Sequence, residues 1–341
     1  MTRPPSSLRT GRILPSFRLL SSASASSSPS SFSPLATPAD DLRHCRELIR
    51  SRDYSAYLVG LLRPPSVSPA YFAVRALDAE AAGSEDSLLS GNAGSLLAVR
   101  MRLQWWSDAL DAAYGDSAVP AHPVARVLRR ERAKIPRRPL ERLLDARRDE
   151  AETGGRCDSV EDLVRRTEDT EGALLRLHLA ACDMEERPGA AEAARHVGIG
   201  AGLIAVLQAA PRWLAAKGEV PWPRDIAQHY GLAHADPQTL LPSDNARAAA
   251  QELGTLARWH LRKAEELRVE KEAARCLLGG VAARHALDLI EKAEWDLSHQ
   301  NAGGVPQVIR GPQGEEETMD QSAGHWKVGL KLGWHYFRGR L

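Results

Sequence analysis

Apolar residues recur every three to four positions along most of the chain, which is the spacing of an amphipathic α-helix. Ala, Leu, Arg and Glu, all good helix formers, are frequent after residue 40, and alternation with a period of two is not evident there. The pattern predicts an all-α protein. Within residues 160–181, the predicted inner face carries Val160, Leu163, Val164, Thr167, Leu174, Leu177 and Ala181.

Glycine and proline clusters divide the chain into about eight to ten predicted helices. They indicate one compact α-domain over residues 39–302, a Gly-, Pro- and acid-rich linker at 303–324, and an amphipathic C-terminal helix at 325–341. No repeat of 20–50 residues is visible, which argues against a solenoid.

Residues 1–38 differ from the rest of the chain. They contain four Arg, twelve Ser and no acidic residue. This composition is typical of a disordered organelle transit peptide, and the lack of a continuous apolar run argues against a secretory signal. The spaced arginines favour the mitochondrion. The serine-rich run at 21–33 keeps the chloroplast open as an alternative.

The overall composition excludes several classes of protein. The 341 residues include 45 Lys and Arg against 44 Asp and Glu, so nothing favours nucleic-acid binding. The four cysteines are far apart and form no CxxC, which excludes a zinc knuckle and a dense disulfide framework. The glycines at 198–202 lack the GxGxxG spacing and follow no predicted strand, so they indicate close helix packing instead of a dinucleotide loop.

Six segments of the chain form a recognisable series: residues 45–54, 70–78, 106–115, 122–124, 161–172, and 196–202 with 220–223. In this order they resemble sequences of the squalene/phytoene synthase family. The resemblance covers about residues 42–232 and implies an isoprenoid-synthase-like helical bundle. Active members of that family condense prenyl diphosphates, and aspartates on two facing helices hold the Mg²⁺ ions that neutralise the leaving diphosphate.

The chain departs from the family where the metal should bind. The first aspartate motif, Asp-Asp-x-x-Asp, keeps one carboxylate of three, Asp78. The second motif, Asp-x-x-x-Asp, keeps none, and Pro211 is expected to break its helix. The resemblance therefore implies a degenerate enzyme with no catalytic residues, no metal site and no cofactor. The altered positions are Ala79, Ala82, Ala210 and Leu214, together with Arg166 at the family tyrosine and Glu171 at the family alanine.

This pattern of losses resembles the divergent mitochondrial branch of the family, as do residues 75–81, 102–106 and 168–170. Members of that branch assist the assembly of NADH:ubiquinone oxidoreductase (complex I). The resemblance implies a peripheral position on the matrix side of the inner membrane. The implied partners are complex I assembly intermediates, the membrane surface and a prenyl or lipid ligand in the bundle. Two alternatives stay open: an active Mg²⁺-dependent phytoene- or squalene-synthase-like transferase, and a lipid carrier with no assembly role.

Four charged residues are candidates for a remnant of the ligand cavity: Arg75, Asp78, Glu168 and Glu171. Arg75 and Asp78 stand three positions apart on one helix face, so we expect them to form an ion pair. That pair is either structural or a remnant of a head-group site. The two glutamates lie close to a buried stripe, where a carboxylate needs a partner, and Arg75 is the first choice.

The C-terminal helix mixes aromatic, apolar and cationic residues, which is typical of helices that lie on a membrane surface. The alternative is an ordinary last helix that packs on the domain. The basic stretch at 126–148 also has two interpretations. It is either a solvated helical face or a contact with anionic lipid or a partner subunit. The candidate membrane contacts are Trp326, Lys327, Lys331, Trp334, Phe337 and Arg338.

Overall fold

The computed structural model describes residues 37–82, 93–232, 236–298 and 322–339. All regular secondary structure within these ranges is helical, which confirms the all-α prediction. The helices are α1 (Pro38–Arg52), α2 (Tyr54–Leu61), α3 (Ser68–Ala82), α4 (Ala93–Tyr114), α5 (Pro123–Glu131), α6 (Arg137–Glu152), α7 (Val160–Thr167), α8 (Ala173–Ala181), α9 (Ala190–Lys217), α10 (Arg224–His229), α11 (Pro237–Leu240), α12 (Asp244–Glu266), α13 (Lys271–Cys276), α14 (Gly279–Lys292) and α15 (Ser322–Arg338).

The described residues form fifteen α-helices, more than the eight to ten expected, because five of them are short segments of eight residues or fewer. Residues 1–36 of the predicted transit peptide and 303–321 of the predicted linker lie outside the described ranges. The first described helix begins with a capping box, in which Thr37 and Asp40 bond each other's backbone.

Helix α9, 28 residues long, is the central element of the bundle. It packs against α7, α8, α12 and α14. Within the described residues it is the one helix with the length and apolar composition to cross a membrane, and 56% of that apolar stretch is buried in the domain. This burial is typical of a core helix.

The prediction that Pro211 breaks its helix is wrong. The proline stands inside α9, and the helix continues to Lys217. Proline removes one backbone hydrogen bond, but residues on both sides, Leu207, Ala210 and Trp213, are buried against neighbouring helices. Their packing stabilises the helix on both sides of the proline.

The inner-face stripe at 160–181 is not one regular α-helix. A π-helical segment, Glu168–Gly172, separates α7 from α8. It lies against α9, where a Cβ on Gly198 would come within 2.3 Å of the Cα of Gly172. A side chain on Gly202 would likewise meet Thr167 at 2.5 Å. The small residues therefore serve close helix packing, as the sequence indicated.

The C-terminal helix α15 packs on the domain along one face. Val328 and Leu332 are buried in the same core cluster as α1 to α6, and Tyr336 packs beside them. Arg275 of α13 donates to the backbone carbonyl of Tyr336 at 3.0 Å and stacks on its ring. The opposite face of the helix is exposed.

Candidate functional site

A cavity of about 490 Å³ opens between α2, α3, α8, α9, α14 and α15. Its size falls in the range of small-molecule pockets. One wall is apolar and comes mainly from α9 and α14, whereas the other carries charged and aromatic side chains. The apolar wall consists of Ala201, Ile204, Ala205, Ala282, Ala283, Ala286 and Leu289.

Arg75 and Glu171 face each other in this cavity. The guanidinium of Arg75 donates to the carboxylate of Glu171 across 3.1 Å, joining α3 to the π-helical segment. Burial by itself lowers the pKa of Arg75, but the neighbouring acidic groups, Glu171 first among them, together outweigh it and the pKa is raised. The expected pairing of Arg75 with a glutamate of this segment is found.

Asp78 does not form the salt bridge expected with Arg75. It binds Arg147 of α6 instead, at 2.8 and 3.0 Å, and Arg147 also pairs with Glu150 at 2.7 Å. Burial raises the pKa of Asp78, although Arg147 lowers it in part. Spacing along one helix could not reveal a partner 69 positions away. Asp78 does not line the cavity. It belongs to a buried charge network with Arg147 and Glu150.

Glu168 stands on the other side of the π-helical segment. It pairs with Arg195 of α9 at 3.4 Å, and both side chains are more than one-third exposed. It does not line the cavity. The structure thus brings two of the four candidate residues, Arg75 and Glu171, into one cavity and places Asp78 and Glu168 outside it.

The donor set does not fit the Mg²⁺ ions that active members of the resembled family use. A magnesium site needs carboxylate oxygens that are free to bind it. Asp78 is bound by Arg147, and the second-motif positions Ala210 and Leu214 carry no ligand atom. Within the described part of the chain, no three His, Cys, Asp or Glu side chains form a metal-binding group. The residues described here therefore suggest no chemical step that uses a metal.

One further polar residue of the cavity, His178, was not singled out in the sequence. His178 of α8 is 2% exposed and its ring lies 4.3 Å from that of Tyr71, centroid to centroid. Burial, then the charges of Arg75 and Arg63, hold the pKa of His178 well below 6.5, so its ring is neutral. The signal was present, because His178 interrupts a leucine stripe four positions after Leu174.

The candidate membrane residues divide between the two faces of α15. Trp334 is 58% exposed and Phe337 is 75% exposed, and both point away from the domain with Leu330. The guanidinium of Arg338 lies 4.1 Å from the centre of the Trp334 ring. Lys331 turns toward α14, where its ammonium meets His285 at 2.9 Å. The side chains of Trp326 and Lys327 lie outside the described part.

Most cationic side chains of the basic stretch at 126–148 form ion pairs or hydrogen bonds within the domain. Arg126 and Arg130 both bind the buried carboxylate of Asp41 on α1. Arg129 donates to backbone carbonyls at the end of α4 and just beyond it. These contacts support the interpretation of a structural surface and leave fewer cations for lipid or a partner.

The sequence is similar to that of known proteins over most of its length. A profile of the family described as squalene/phytoene synthase matches residues 49–306. The chain is 29% identical over 260 residues to the "NADH dehydrogenase (ubiquinone) complex I, assembly factor 6" of Mus musculus, and the match covers 75% of each chain.

Solved structures support the fold. The squalene synthase HpnC of Alicyclobacillus acidocaldarius superposes with a TM-score of 0.61 at 20% identity, covering 76% of this chain and 96% of that one. A dehydrosqualene synthase in complex with a ligand superposes with a TM-score of 0.66 at 18% identity, covering 88% and 98%. These similarities establish an isoprenoid-synthase-like fold for the bundle.

Proposed function

The chain belongs to the squalene/phytoene synthase family, and we propose that it works in the assembly of mitochondrial complex I instead of condensing prenyl diphosphates. The observation that carries the proposal concerns the two aspartate motifs, which hold the metal ions in active members of the family. The one aspartate kept from the first motif, Asp78, is bound by Arg147, and the second motif has no carboxylate. The names of the relatives at about 29% identity support the same function.

The cavity supports a second part of the proposal, the binding of a prenyl or lipid ligand. It retains an apolar wall, and Arg75 and Glu171 remain at its polar side. A helical bundle that keeps its pocket while it lacks the metal ligands is suited to binding without turnover.

Membrane contact is the third part. We propose that the protein lies peripherally on the matrix side of the inner membrane and that the outer face of α15 contacts the bilayer. Leu330, Trp334 and Phe337 follow one another at helical spacing on the exposed face, next to the cation of Arg338. Aromatic rings favour the interface, and cations pair with anionic lipid.

The assembly function is tested in mitochondria that lack the protein. We expect a native gel stained for NADH dehydrogenase activity to lose the complex I band, while the other respiratory complexes stay intact. Complementation with the wild-type chain should restore it. A normal complex I band without the protein would refute the proposal. Co-migration of the protein with assembly intermediates would separate it from a lipid carrier.

The transferase alternative has its own assay. An active enzyme would release diphosphate from a prenyl diphosphate in the presence of Mg²⁺. The donor set described above predicts no release above the rate of a heat-inactivated sample. Release that depends on Mg²⁺ and is abolished by a chelator would restore the alternative.

Membrane contact is tested with the double variant Trp334→Ser and Phe337→Ser. These residues lie on the outer face, so the variant leaves the buried Val328 and Leu332 in place. We expect the variant to stay in the supernatant when anionic vesicles are pelleted, whereas the wild type pellets with them.

The matched control for that experiment is Leu97→Ser with Met101→Ser on α4. Both control residues are as exposed as the α15 pair, at 64% and 66%. The control chain should pellet like the wild type. The membrane proposal fails if the α15 variant also pellets.

A further inference from the structure

Two of the four cysteines, far apart in the sequence, meet in the folded chain. Cys182 follows directly after α8, and Cys276 is the last residue of α13. Their thiols form a hydrogen bond with each other. Helix α13 packs against α8, and both cysteines belong to one small apolar cluster with Leu179 and Leu277. The fold therefore brings together a pair of thiols that the sequence separates.

The two thiols differ in their access to solvent. The side chain of Cys276 is buried, with 3% of the residue exposed, whereas Cys182 is partly exposed at the end of its helix. A reagent that comes from solvent meets Cys182 first. Cys276 is reached only through its neighbour.

The hydrogen bond between the thiols also makes them chemically unequal. The S–H group of Cys276 donates to the sulfur of Cys182, which lowers the pKa of Cys182 and raises that of Cys276. Burial acts against the lowering at Cys182, and the nearby guanidinium of Arg63 adds to it. The thiolate is the nucleophilic form of cysteine, so the more accessible thiol is also the more reactive one.

Hydrogen bonds hold the backbone beside Cys276 in place. Arg63 donates to the carbonyls of Arg275 and Cys276, at 2.5 and 2.9 Å. The side chain of Arg275 in turn donates to the carbonyl of Tyr336 on α15 at 3.0 Å. The short helix α13 is thus fixed at its C-terminal end, and this end carries the thiol that faces Cys182.

We infer that Cys182 and Cys276 form a redox-active dithiol, which a small disulfide such as glutathione disulfide oxidises to an intramolecular disulfide between α8 and α13. In reducing compartments such bonds are usually transient and sense the redox state. The dithiol does not depend on the proposed function, because neither its geometry nor its chemistry involves complex I or a lipid.

The reaction is an exchange of thiols and disulfides in two steps. The thiolate of Cys182 attacks one sulfur of glutathione disulfide, so that Cys182 is joined to one glutathione and the other leaves as a thiolate. The sulfur of Cys276 then attacks that of Cys182, and the second glutathione is released. The proton of Cys276 passes to a leaving glutathione. Two protein thiols are oxidised while one disulfide is reduced to two thiols, and no other oxidant is needed.

The test uses the reduced full chain, purified and incubated with glutathione disulfide at neutral pH. Acid stops the reaction, and mass mapping of peptides without reduction locates the bonds. We expect the free thiols to fall from four to two, with Cys182 joined to Cys276 and no glutathione retained. Dithiothreitol should restore all four. Four thiols that stay free, or glutathione retained on the wild-type chain, would overturn the inference.

The variant Cys276→Ser isolates the first step. Because the second thiol is missing, we expect Cys182 to keep one glutathione per chain. The reverse variant, Cys182→Ser, should keep its three cysteines free, since Cys276 is buried. If Cys276→Ser takes up no glutathione, or if Cys182→Ser takes it up at Cys276, the assigned order of attack is wrong.

The matched control is Cys157→Ser. Cys157 is also buried, but it belongs to a different apolar cluster from the pair. The control should form the bond between Cys182 and Cys276 like the wild type. Because bonds are mapped on the wild-type chain as well, a variant that fails to fold leaves the inference testable. Failure of this test leaves the complex I measurement untouched, and a normal complex I band leaves the mapped disulfide intact.

Discussion

Two parts of helix α3 hold charge in opposite ways. Near its C-terminal end, Asp78 is bound by Arg147, which also holds Glu150, so that the buried charges of this end are satisfied within the protein. One turn earlier, Arg75 faces a cavity with an unpartnered Nε. In the family, the end that carries the aspartates binds the metal. Here Asp78 at that end is held by an ion pair within the protein, whereas Arg75 in the preceding turn lines the cavity.

The largest effect is expected at the structural end. Asp78→Ala removes the carboxylate that the buried guanidinium of Arg147 binds at 2.8 Å, while the contact of Arg147 with Glu150 stays. Removing one member of a buried ion pair is strongly destabilising, so we expect a loss of about 3 kcal/mol in the free energy of unfolding, measured in urea. Asp78→Asn keeps an acceptor and should lose less. A change below about 0.5 kcal/mol for the alanine variant would mean that this end is not structural.

The second-largest loss of stability is expected at Gly198, where close packing against the π-helical segment positions Glu171 on the cavity side. The π-helical segment lies against Gly198, where a Cβ would overlap Gly172. Gly198→Ala should cost about 2 kcal/mol by overpacking, as thermal or urea unfolding can measure. Gly329→Ala on α15 is the control, because a Cβ there meets nothing within 4 Å. It should be neutral or stabilising.

Glu171 and Glu168 lie on different sides of the π-helical segment, so the same substitution at both compares the cavity side with the solvent side. Glu171→Gln removes the charge that compensates Arg75 in the cavity and should cost about 1.5 kcal/mol. Glu168→Gln breaks an ion pair that solvent screens, so less than about 1 kcal/mol is expected. If urea unfolding gave the same loss of unfolding free energy for both variants, the position of Glu171 in the cavity would have no effect on the strength of its ion pair.

The pH dependence of stability tests the buried histidines, one of which lies on the cavity side. The pKa of His178 is held well below 6.5 and that of His260 is lowered to about 4. The unfolded chain therefore binds more protons below about pH 6.5, and stability falls as the pH drops from about 7 to about 5. Each such histidine contributes a slope of up to about 1.4 kcal/mol per pH unit.

The variant His178→Leu should reduce this slope, whereas the same change at the exposed His229 should not. Urea unfolding at several pH values measures both. A slope in the His178 variant that equals the wild-type slope would mean that the ring does not stay neutral in the folded chain.

The general architecture was predictable from periodicity because every long helix buries one apolar face. The helix class and the close packing at Gly198 follow from patterns within a few turns of chain. The pairing of Glu171 with Arg75, 96 positions apart, was expected only because a carboxylate on a buried stripe needs a cationic partner. The continuation of α9 through Pro211 did not follow, since packing from other helices decides it. The π-helical segment at 168–172 was not predicted either, and it lies in close contact with Gly198 of α9.

The candidate site was predictable only in part. A buried charge selects its partner by position in space, and the sequence shows neither the 69-position separation of Asp78 from Arg147 nor the convergence of Arg63 with His178. The C-terminal helix is an intermediate case. Its aromatic and cationic composition indicated a surface role, but the division into a packed and an exposed face required the contacts of Val328 and Leu332.

The central claim is that the protein serves complex I assembly without the chemistry of the aspartate motif. The most direct measurement is the complex I activity band in mitochondria that lack the protein and carry the Asp78→Asn chain instead. Asparagine keeps the shape of the side chain and removes the carboxylate that could bind a metal. We predict a band as strong as that restored by the wild type. An absent band, with the variant present at the wild-type amount, would contradict the account.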